Sequence, residues 1–304
     1  MKKNNFVKFF VGFLILSFSV STVIAQKKRP PVKAKAKPII FAVLNDGGTL
    51  EPIAFIEKGK LAQAASSDDG NTGTTFTNTY YKTKPVYRLI FGGVDDGTAT
   101  IKSFDPKAEC SAFMAQITAQ PTRAKLKGMV MALATDAPTK KTKGVRRPPT
   151  ATERAEIETI VRAELIKQGV STNAAKNLKY YNLTALDVDA DGKAEMVGSY
   201  WAETSPKERN LLFFIAEKSA GGKYELGYSD YSKVTPAEIM SGEMKDLDEL
   251  GGELLLDVLE YNGDSTAEIF TINRAFEGNN FQVYSRQDGK WTKVFEGYNY
   301  HCAY

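Results

Sequence analysis

Carboxylates at alternate positions make residues 187–195 the stretch of this 304-residue sequence best suited to chemistry. Ca²⁺ takes roughly six to eight oxygen ligands, and side chains at positions 1, 3 and 5 of a tight loop can converge on one ion. Gly192 lets the chain turn back on itself. The sequence therefore predicts a calcium loop, and its ligands are expected to be Asp187, Asp189, Asp191, the backbone carbonyl of Lys193, and Glu195.

The residues on each side of this loop are typical of strands, which makes it the turn of a β-hairpin. An EF-hand would need flanking helices and a glutamate at the twelfth position, where this chain has Gly198. A D-x-D-x-D-G-x-x-[DE] loop in a hairpin resembles the calcium loops of FG-GAP and VCBS repeats, found in integrin α-chain propellers and many secreted bacterial proteins. The resemblance implies calcium as the cofactor. The alternative is a solvated turn, since Asp and Gly are common turn residues.

A second copy of the pattern follows 73 residues later, and Ser265 replaces its glycine. We expect this loop to bind calcium more weakly, through Glu260, Asn262, Asp264 and Glu268. A further hairpin follows each loop, so each unit has four antiparallel strands, the size of one propeller blade. Two units are too few for a ring of about four to eight blades, so we expect open sheets or a sandwich of the two units.

The chain before the repeats divides into segments of different composition. Residues 1–25 hold lysines, an apolar run and small residues before position 26, which predicts a cleaved secretory signal peptide, with an uncleaved membrane anchor as the alternative. Residues 26–38 and 139–149 are basic, proline-bearing linkers. Between the linkers, residues 39–138 are expected to form a β-rich N-terminal domain.

Residues 150–304 form the second predicted domain. Thr150 and Glu153 make a capping box, which opens a helix that we expect to cover one face of the repeat-bearing sheet. The predicted fold is therefore mainly β, a β-rich α+β protein with two domains. Its second domain is expected to hold two four-stranded, blade-like antiparallel units and one covering helix, without a closed propeller.

The distribution of charge argues against a nucleic-acid partner. The formal net charge is +4, yet 26 acidic residues stand against 16 basic ones from Thr150 onward. An acidic domain suits cations and is a poor surface for nucleic acid. The two basic linkers suit weak contact with an anionic surface.

Cysteine and histidine usage limits the catalytic classes. Cys110 and Cys302 form a disulfide in an oxidising compartment or remain two buried thiols. His301 is the only histidine, which excludes His-based zinc sites. It also disfavours histidine-assisted nucleophilic catalysis, because a base in a fraying C-terminal tail is poorly oriented. Paired-carboxylate chemistry, as in glycoside hydrolases, is the class that remains.

Together these features predict a secreted or periplasmic calcium-binding protein that acts as a binding, adhesion or envelope-interaction module. Its partner would be an extracellular or envelope ligand, either protein or glycan. The alternatives are a secreted polysaccharide hydrolase with structural calcium and a purely structural envelope protein. Similarity of fold is a weak guide to function, so the choice among the three depends on the site.

Overall fold

Short strands joined by tight turns make up most of the protein, because β-branched and aromatic residues recur in runs bounded by Gly, Asn and Asp. The computed structural model describes residues 36–64, 72–139, 145–239, 241–250, 252–275 and 277–302. Its strands form a closed six-stranded antiparallel barrel and two open antiparallel sheets of five and four strands. The prediction of a mainly β fold is confirmed.

The barrel comes from the first part of the chain. The described residues of this part form seven strands: β1 (Ile39–Leu44), β2 (Thr49–Glu57), β3 (Lys60–Gln63), β4 (Val86–Phe91), β5 (Val94–Phe104), β6 (Ala115–Pro121) and β7 (Ala132–Thr135). Six of them follow the order β1-β7-β4-β5-β6-β2, and pairing of β1 with β2 closes the ring, while β3 adds to β2 outside it. The short helix α1 (Thr72–Thr77) and the π-helical turn Asn78–Lys82 contribute Phe76, Tyr80 and Tyr81 to the barrel core.

The five-stranded sheet carries the first acidic loop. Its strands are β8 (Val145–Arg147), β9 (Lys179–Asp187), β10 (Glu195–Ser205), β11 (Glu208–Lys218) and β12 (Tyr224–Val234), in the order β12-β11-β10-β9-β8. Helix α2 (Ala151–Lys167) precedes β9, followed by the short helix α3 (Thr172–Lys176). Helix α2 opens with the capping box: the Thr150 hydroxyl accepts from the Glu153 amide, and the Glu153 carboxylate accepts from the Thr150 amide. Its buried side chains Ile157, Val161 and Leu165 pack on one face of the sheet.

The four-stranded sheet carries the second acidic loop. It follows two 3₁₀ turns (Pro236–Glu238 and Met244–Asp246) and the short helix α4 (Leu247–Leu250). Its strands, in sequential order across the sheet, are β13 (Glu253–Leu259), β14 (Glu268–Ala275), β15 (Gly278–Gln287) and β16 (Lys290–Tyr300).

The sheets pack in layers. One face of the five-stranded sheet contacts α2, and its other face packs on the four-stranded sheet through residues such as Val197, Ile215 and Ile269. The opposite face of the four-stranded sheet, with Phe270 and Ile272, packs on the outside of the barrel. This explains why β1 is apolar throughout: alternate side chains face the barrel core and the four-stranded sheet, and all six are buried. Residues 36–304 thus pack as one compact unit across the predicted boundary at 139–149.

A buried ion pair lies where the three sheets meet. The sequence predicts a linker at residues 139–149, but Val145–Arg147 forms strand β8, and the Arg146 side chain is only 6% exposed. Its Nη1 lies 3.3 Å from Oδ2 of Asp257 in β13, which is fully buried. Arg146 also donates to the carbonyls of Met131 and Leu256, and the amide of Gly92 donates to Asp257. One basic residue of the supposed linker is therefore a structural contact between the sheets.

The C-terminal end is fixed to the barrel. Cys110 and Cys302 form a disulfide with a Cα–Cα distance of 5.3 Å. The neighbouring His301 Nε2 lies 2.8 Å from Oε1 of Glu51, a fully buried carboxylate of β2. The hydrogen bond to Glu51 raises the pKa of His301. The expectation of a fraying tail around His301 was therefore wrong, because the disulfide and Glu51 hold this residue in place.

Two sequence predictions fall outside the described residues. The signal peptide at residues 1–25 and most of the linker at residues 26–38 precede residue 36, where the description begins. In the part of the chain that the structure describes, no helix is long and apolar enough to cross a membrane.

Candidate cation site

The first acidic loop connects β9 to β10. Asp187 is the last residue of β9 and Glu195 is the first of β10, which pairs with Leu186 across the hairpin. Between them, Ala190 and Gly192 adopt left-handed backbone conformations, with φ of 62° and 82°. Glycine adopts this conformation without strain. The two left-handed residues turn the chain so that the carboxylates approach one another.

Three of the predicted ligands meet at one point. Carboxylate oxygens of Asp187, Asp189 and Glu195 all lie within 4.8 Å of one another. Oδ1 of Asp187 is buried and has no hydrogen-bond partner. A buried carboxylate oxygen without a donor is costly, and a bound cation would satisfy it. The donor set is entirely oxygen, which hard cations such as Ca²⁺ prefer.

Backbone amides of the loop orient these carboxylates. The amide of Asp191 donates to Oδ1 of Asp189 at 3.2 Å, and the amide of Gly192 donates to Oδ2 of Asp187 at 3.2 Å. The amide of Val188 donates to Oε2 of Glu195 at 3.0 Å. Each carboxylate thus has one oxygen oriented by the backbone. Oδ2 of Asp189 also accepts from the Arg286 guanidinium, so a bound cation would share this carboxylate with Arg286.

The electrostatics of the cluster also favour a positive charge. Burial, reinforced by the charge of Asp189, raises the pKa of Glu195 to about 7. Arg286 of β15 contacts Asp189, and its Nη1 donates to Oε1 of Glu217 at 2.7 Å. This guanidinium compensates part of the negative charge from the side of the four-stranded sheet.

Asp191 stands apart from this group. Its carboxylate accepts from the amide of Lys193 at 2.7 Å and lies 3.4 Å from Nζ of the same lysine. Those contacts lower the pKa of Asp191. The structure therefore brings together Asp187, Asp189 and Glu195, whereas Asp191 pairs within the loop.

The second loop has the backbone of the first. Gly263 and Ser265, which correspond to Ala190 and Gly192, have φ of 97° and 77°. Glu268 accepts from the amide of Tyr261, as Glu195 does from Val188. Ser265 therefore adopts the left-handed conformation of the glycine that it replaces, and the two loops are equivalent in shape.

The side chains of the second loop are arranged differently. The Asn262 amide nitrogen donates to Oε1 of Glu268 and to Oδ2 of Asp264, the latter at 3.0 Å. The amide of Gly263 donates to Glu260. Burial, reinforced by the charge of Asp264, raises the pKa of Glu268 to about 8. An amide group thus occupies the centre of this loop, and its carboxylates do not form a second acidic trio.

The two loops are neighbours in space. The amide of Ala267 donates to the carbonyl of Val188 at 2.8 Å, and both side chains belong to the apolar cluster between the two open sheets. The first loop is therefore in direct contact with the second.

The fold and loop define a mainly β protein with an oxygen-lined candidate cation site. No family model matches the chain, and comparison with curated proteins and with solved structures finds no significant similarity.

Proposed function

We propose that this chain is a secreted or periplasmic calcium-binding protein in which Asp187, Asp189 and Glu195 hold Ca²⁺. The observation that carries the proposal is the convergence of these three carboxylates around the buried, unpartnered Oδ1 of Asp187. The ion would be the positively charged partner that Oδ1 of Asp187 lacks. It would also fix the conformation of the hairpin between β9 and β10. The disulfide between Cys110 and Cys302 supports an oxidising, extracellular location.

We further propose that the two open sheets are a duplicated pair of FG-GAP/VCBS-like blades packed face to face. Three features support the duplication: the loops lie at equivalent positions, share two left-handed residues, and have the same pairing of Leu186 with Glu195 and of Leu259 with Glu268. Helix α2 and the barrel cover the two outer faces of the pair. Such a pair would act as a binding or envelope-interaction module whose partner is a protein or a glycan.

A polysaccharide hydrolase is less well supported. That activity needs a pair of carboxyl groups in a cleft that accepts a sugar ring. Away from the loops, Asp230 and Glu253 line a recess of about 70 Å³. A cavity that holds a benzene ring measures about 150 Å³, so a recess of less than half that volume does not accept a pyranose.

The test is thermal unfolding of the protein in 10 mM calcium and in excess chelator. If the site has a Kd of about 0.1 mM, a hundredfold excess of calcium stabilises the fold by about 2.7 kcal/mol. At about 2 °C per kcal/mol for a chain of this size, Tm should rise by about 5 °C.

Two variants make the test specific. Asp189→Asn should abolish the calcium-dependent rise in Tm, because it removes one of the three converging carboxylates. Asp288→Asn is the matched control: it changes a turn aspartate with φ of 50°, a conformation that Asn tolerates. A wild-type Tm that does not respond to calcium, or an equal response in Asp189→Asn, would refute the proposal.

A further inference from the structure

A groove separates the two open sheets at the end away from the acidic loops. Near the loops the sheets are in contact through Val188, Ile215 and Tyr284. At the other end they diverge around a cavity of about 450 Å³. The segment between β12 and β13, with Ile239 and Leu247, forms part of its wall. The cavity is therefore bounded by both sheets and by the connection between them.

The cavity continues inward as the narrow recess that contains Glu253. The two spaces share Leu211, Ser232 and Asn273 in their walls. The recess measures about 70 Å³, less than half of the roughly 150 Å³ of a cavity that holds a benzene ring, so it admits a group as small as an ammonium or a hydroxyl and excludes a ring. Any larger part of a ligand must lie in the outer cavity.

Glu253 offers one free oxygen to this recess. The residue is only 9% exposed. Its Oε1 accepts hydrogen bonds from the Thr271 hydroxyl and from the Tyr284 hydroxyl, the latter at 2.8 Å. Among the described residues, no donor is bonded to Oε2. Because Glu253 lines the recess, Oε2 is the acceptor that this carboxyl group offers to a ligand there.

The charge of the groove indicates the sign of the ligand. Asp230 lies beside Glu253 in the recess wall, and Arg274 is the basic residue of the outer wall. The outer wall also has three carboxylates, Glu238, Asp246 and Glu277. These five acidic groups outnumber Arg274 and Lys293, whose positive charge acts on Glu253, and the excess favours a cationic ligand.

The apolar part of the outer wall distinguishes an organic cation from a metal ion. Its residues are Leu211, Val234, Ile239 and Leu247. These side chains provide no ligand for a bare ion but would cover methylene groups. In the recess, a single free oxygen of Glu253 is too small a ligand set for Ca²⁺, which needs roughly six to eight oxygens.

We propose that this groove binds a small ligand with a primary alkylammonium group. The ammonium would lie in the recess and donate to Oε2 of Glu253, and the alkyl chain would lie along the apolar wall. The groove is separate from the acidic loops, so the two proposals are independent. If the protein binds no alkylammonium, the calcium proposal still stands, and if it binds no calcium, the groove proposal still stands.

The experiment is calorimetric titration of the protein with 1,5-diaminopentane and with 1,5-pentanediol, in calcium and in chelator. The two probes match in length and differ in their terminal groups. A charge-assisted hydrogen bond contributes about 1.5–3 kcal/mol, so the diamine should bind about tenfold to a hundredfold more tightly. Equal affinities, or no diamine binding at 50 mM, would overturn the proposal.

Variants locate the binding site. At pH 8, above the pKa of Glu253 of about 7, Glu253→Gln should weaken diamine binding by about fivefold or more, and so should Asp230→Asn, since each removes a negative charge beside the ammonium. Glu225→Gln is the matched control, because this glutamate is exposed on β12 outside the groove. Wild-type affinity in Glu253→Gln would refute the assignment. Asp230→Asn changes an exposed residue, so it tests the groove independently, and wild-type affinity in that variant would refute the assignment as well.

A third probe, Nα-acetyl-lysine N-methylamide, distinguishes the source of the ammonium. Tighter binding of the lysine derivative than of the diamine would identify the ligand as a lysine side chain of a polypeptide. Tighter binding of the diamine would identify a free small amine. Both results would arise from binding of an ammonium group in the groove.

Discussion

Replacement of Arg146 by Met should destabilise the protein more than almost any other single change in its charged residues. Arg146 and Asp257 are buried together, and their contacts reach the barrel and both open sheets. Burial raises the pKa of Asp257 to about 6 even with the guanidinium beside it. Ionised Asp257 is therefore costly to bury, and the cost increases when its partner is removed.

The magnitude follows from this burial. Removal of one partner of a buried pair leaves an uncompensated charge and costs about 3–5 kcal/mol. Arg146→Met also leaves the carbonyls of Met131 and Leu256 without their donor. For a chain of this size, we expect Tm to fall by about 6–10 °C. The urea midpoint should fall by about 1–1.7 M if m is about 3 kcal/mol per M.

The assay is urea unfolding followed by fluorescence, at fixed calcium and pH 7. Arg147→Met is the control, because the adjacent Arg147 forms its ion pair with Glu153 nearer the surface, where such a pair contributes about 0–1 kcal/mol. Asp257→Asn should add little to Arg146→Met, with a coupling energy of about 2 kcal/mol. A loss below 1 kcal/mol in Arg146→Met, or additive effects in the double variant, would refute the reasoning.

Three further predictions concern other charged or covalent contacts. Arg286→Gln should tighten calcium binding severalfold, since it removes a positive charge that contacts Asp189. Calorimetric titration measures the affinity, and a lower calcium affinity in the variant would contradict this prediction. Burial raises the pKa of Glu253 from 4.5 to about 7, so its ionisation costs stability as pH rises through that range. Glu253→Gln should therefore raise the free energy of unfolding, and the gain should be up to about 3 kcal/mol larger at pH 8 than at pH 4.5. If urea unfolding shows the same difference between variant and wild type at both pH values, this prediction is wrong. Reduction of the disulfide, or Cys110→Ser with Cys302→Ser, should lower stability by about 2–5 kcal/mol; an unchanged Tm would show that the crosslink does not constrain the unfolded chain.

Features encoded over a few adjacent residues could be predicted from the sequence. The acidic loop, the capping box of Thr150 and Glu153, and the repeat that places Ser265 opposite Gly192 all depend on local spacing. The mainly β character likewise follows from short apolar runs. These signals are available from sequence because the interacting residues lie within one turn or one hairpin.

Contacts between distant residues could not be predicted. Nothing in the sequence pairs Arg146 with Asp257, which lies 111 positions later, and a basic, proline-bearing segment is typical of a linker. In the sequence, Glu253 does not differ from other acidic residues, because its place in the groove depends on how the two sheets pack. The contact of Arg286 with Asp189 could not be predicted either, because the two residues belong to different sheets. Closure of the barrel by β1 and β2 gives no signal beyond that of a common hairpin.

The apolar outer surface of the barrel constrains the order of folding. Ile40, Ala42, Ile90 and Leu133 lie on that surface and are covered by the four-stranded sheet, which is synthesised after the barrel. Until β13–β16 arrive, the barrel would present this surface to solvent, and partly folded chains with such surfaces aggregate. A chain that ends before Glu253 is therefore expected to aggregate. A cell that exports the whole chain before it folds avoids this exposed intermediate.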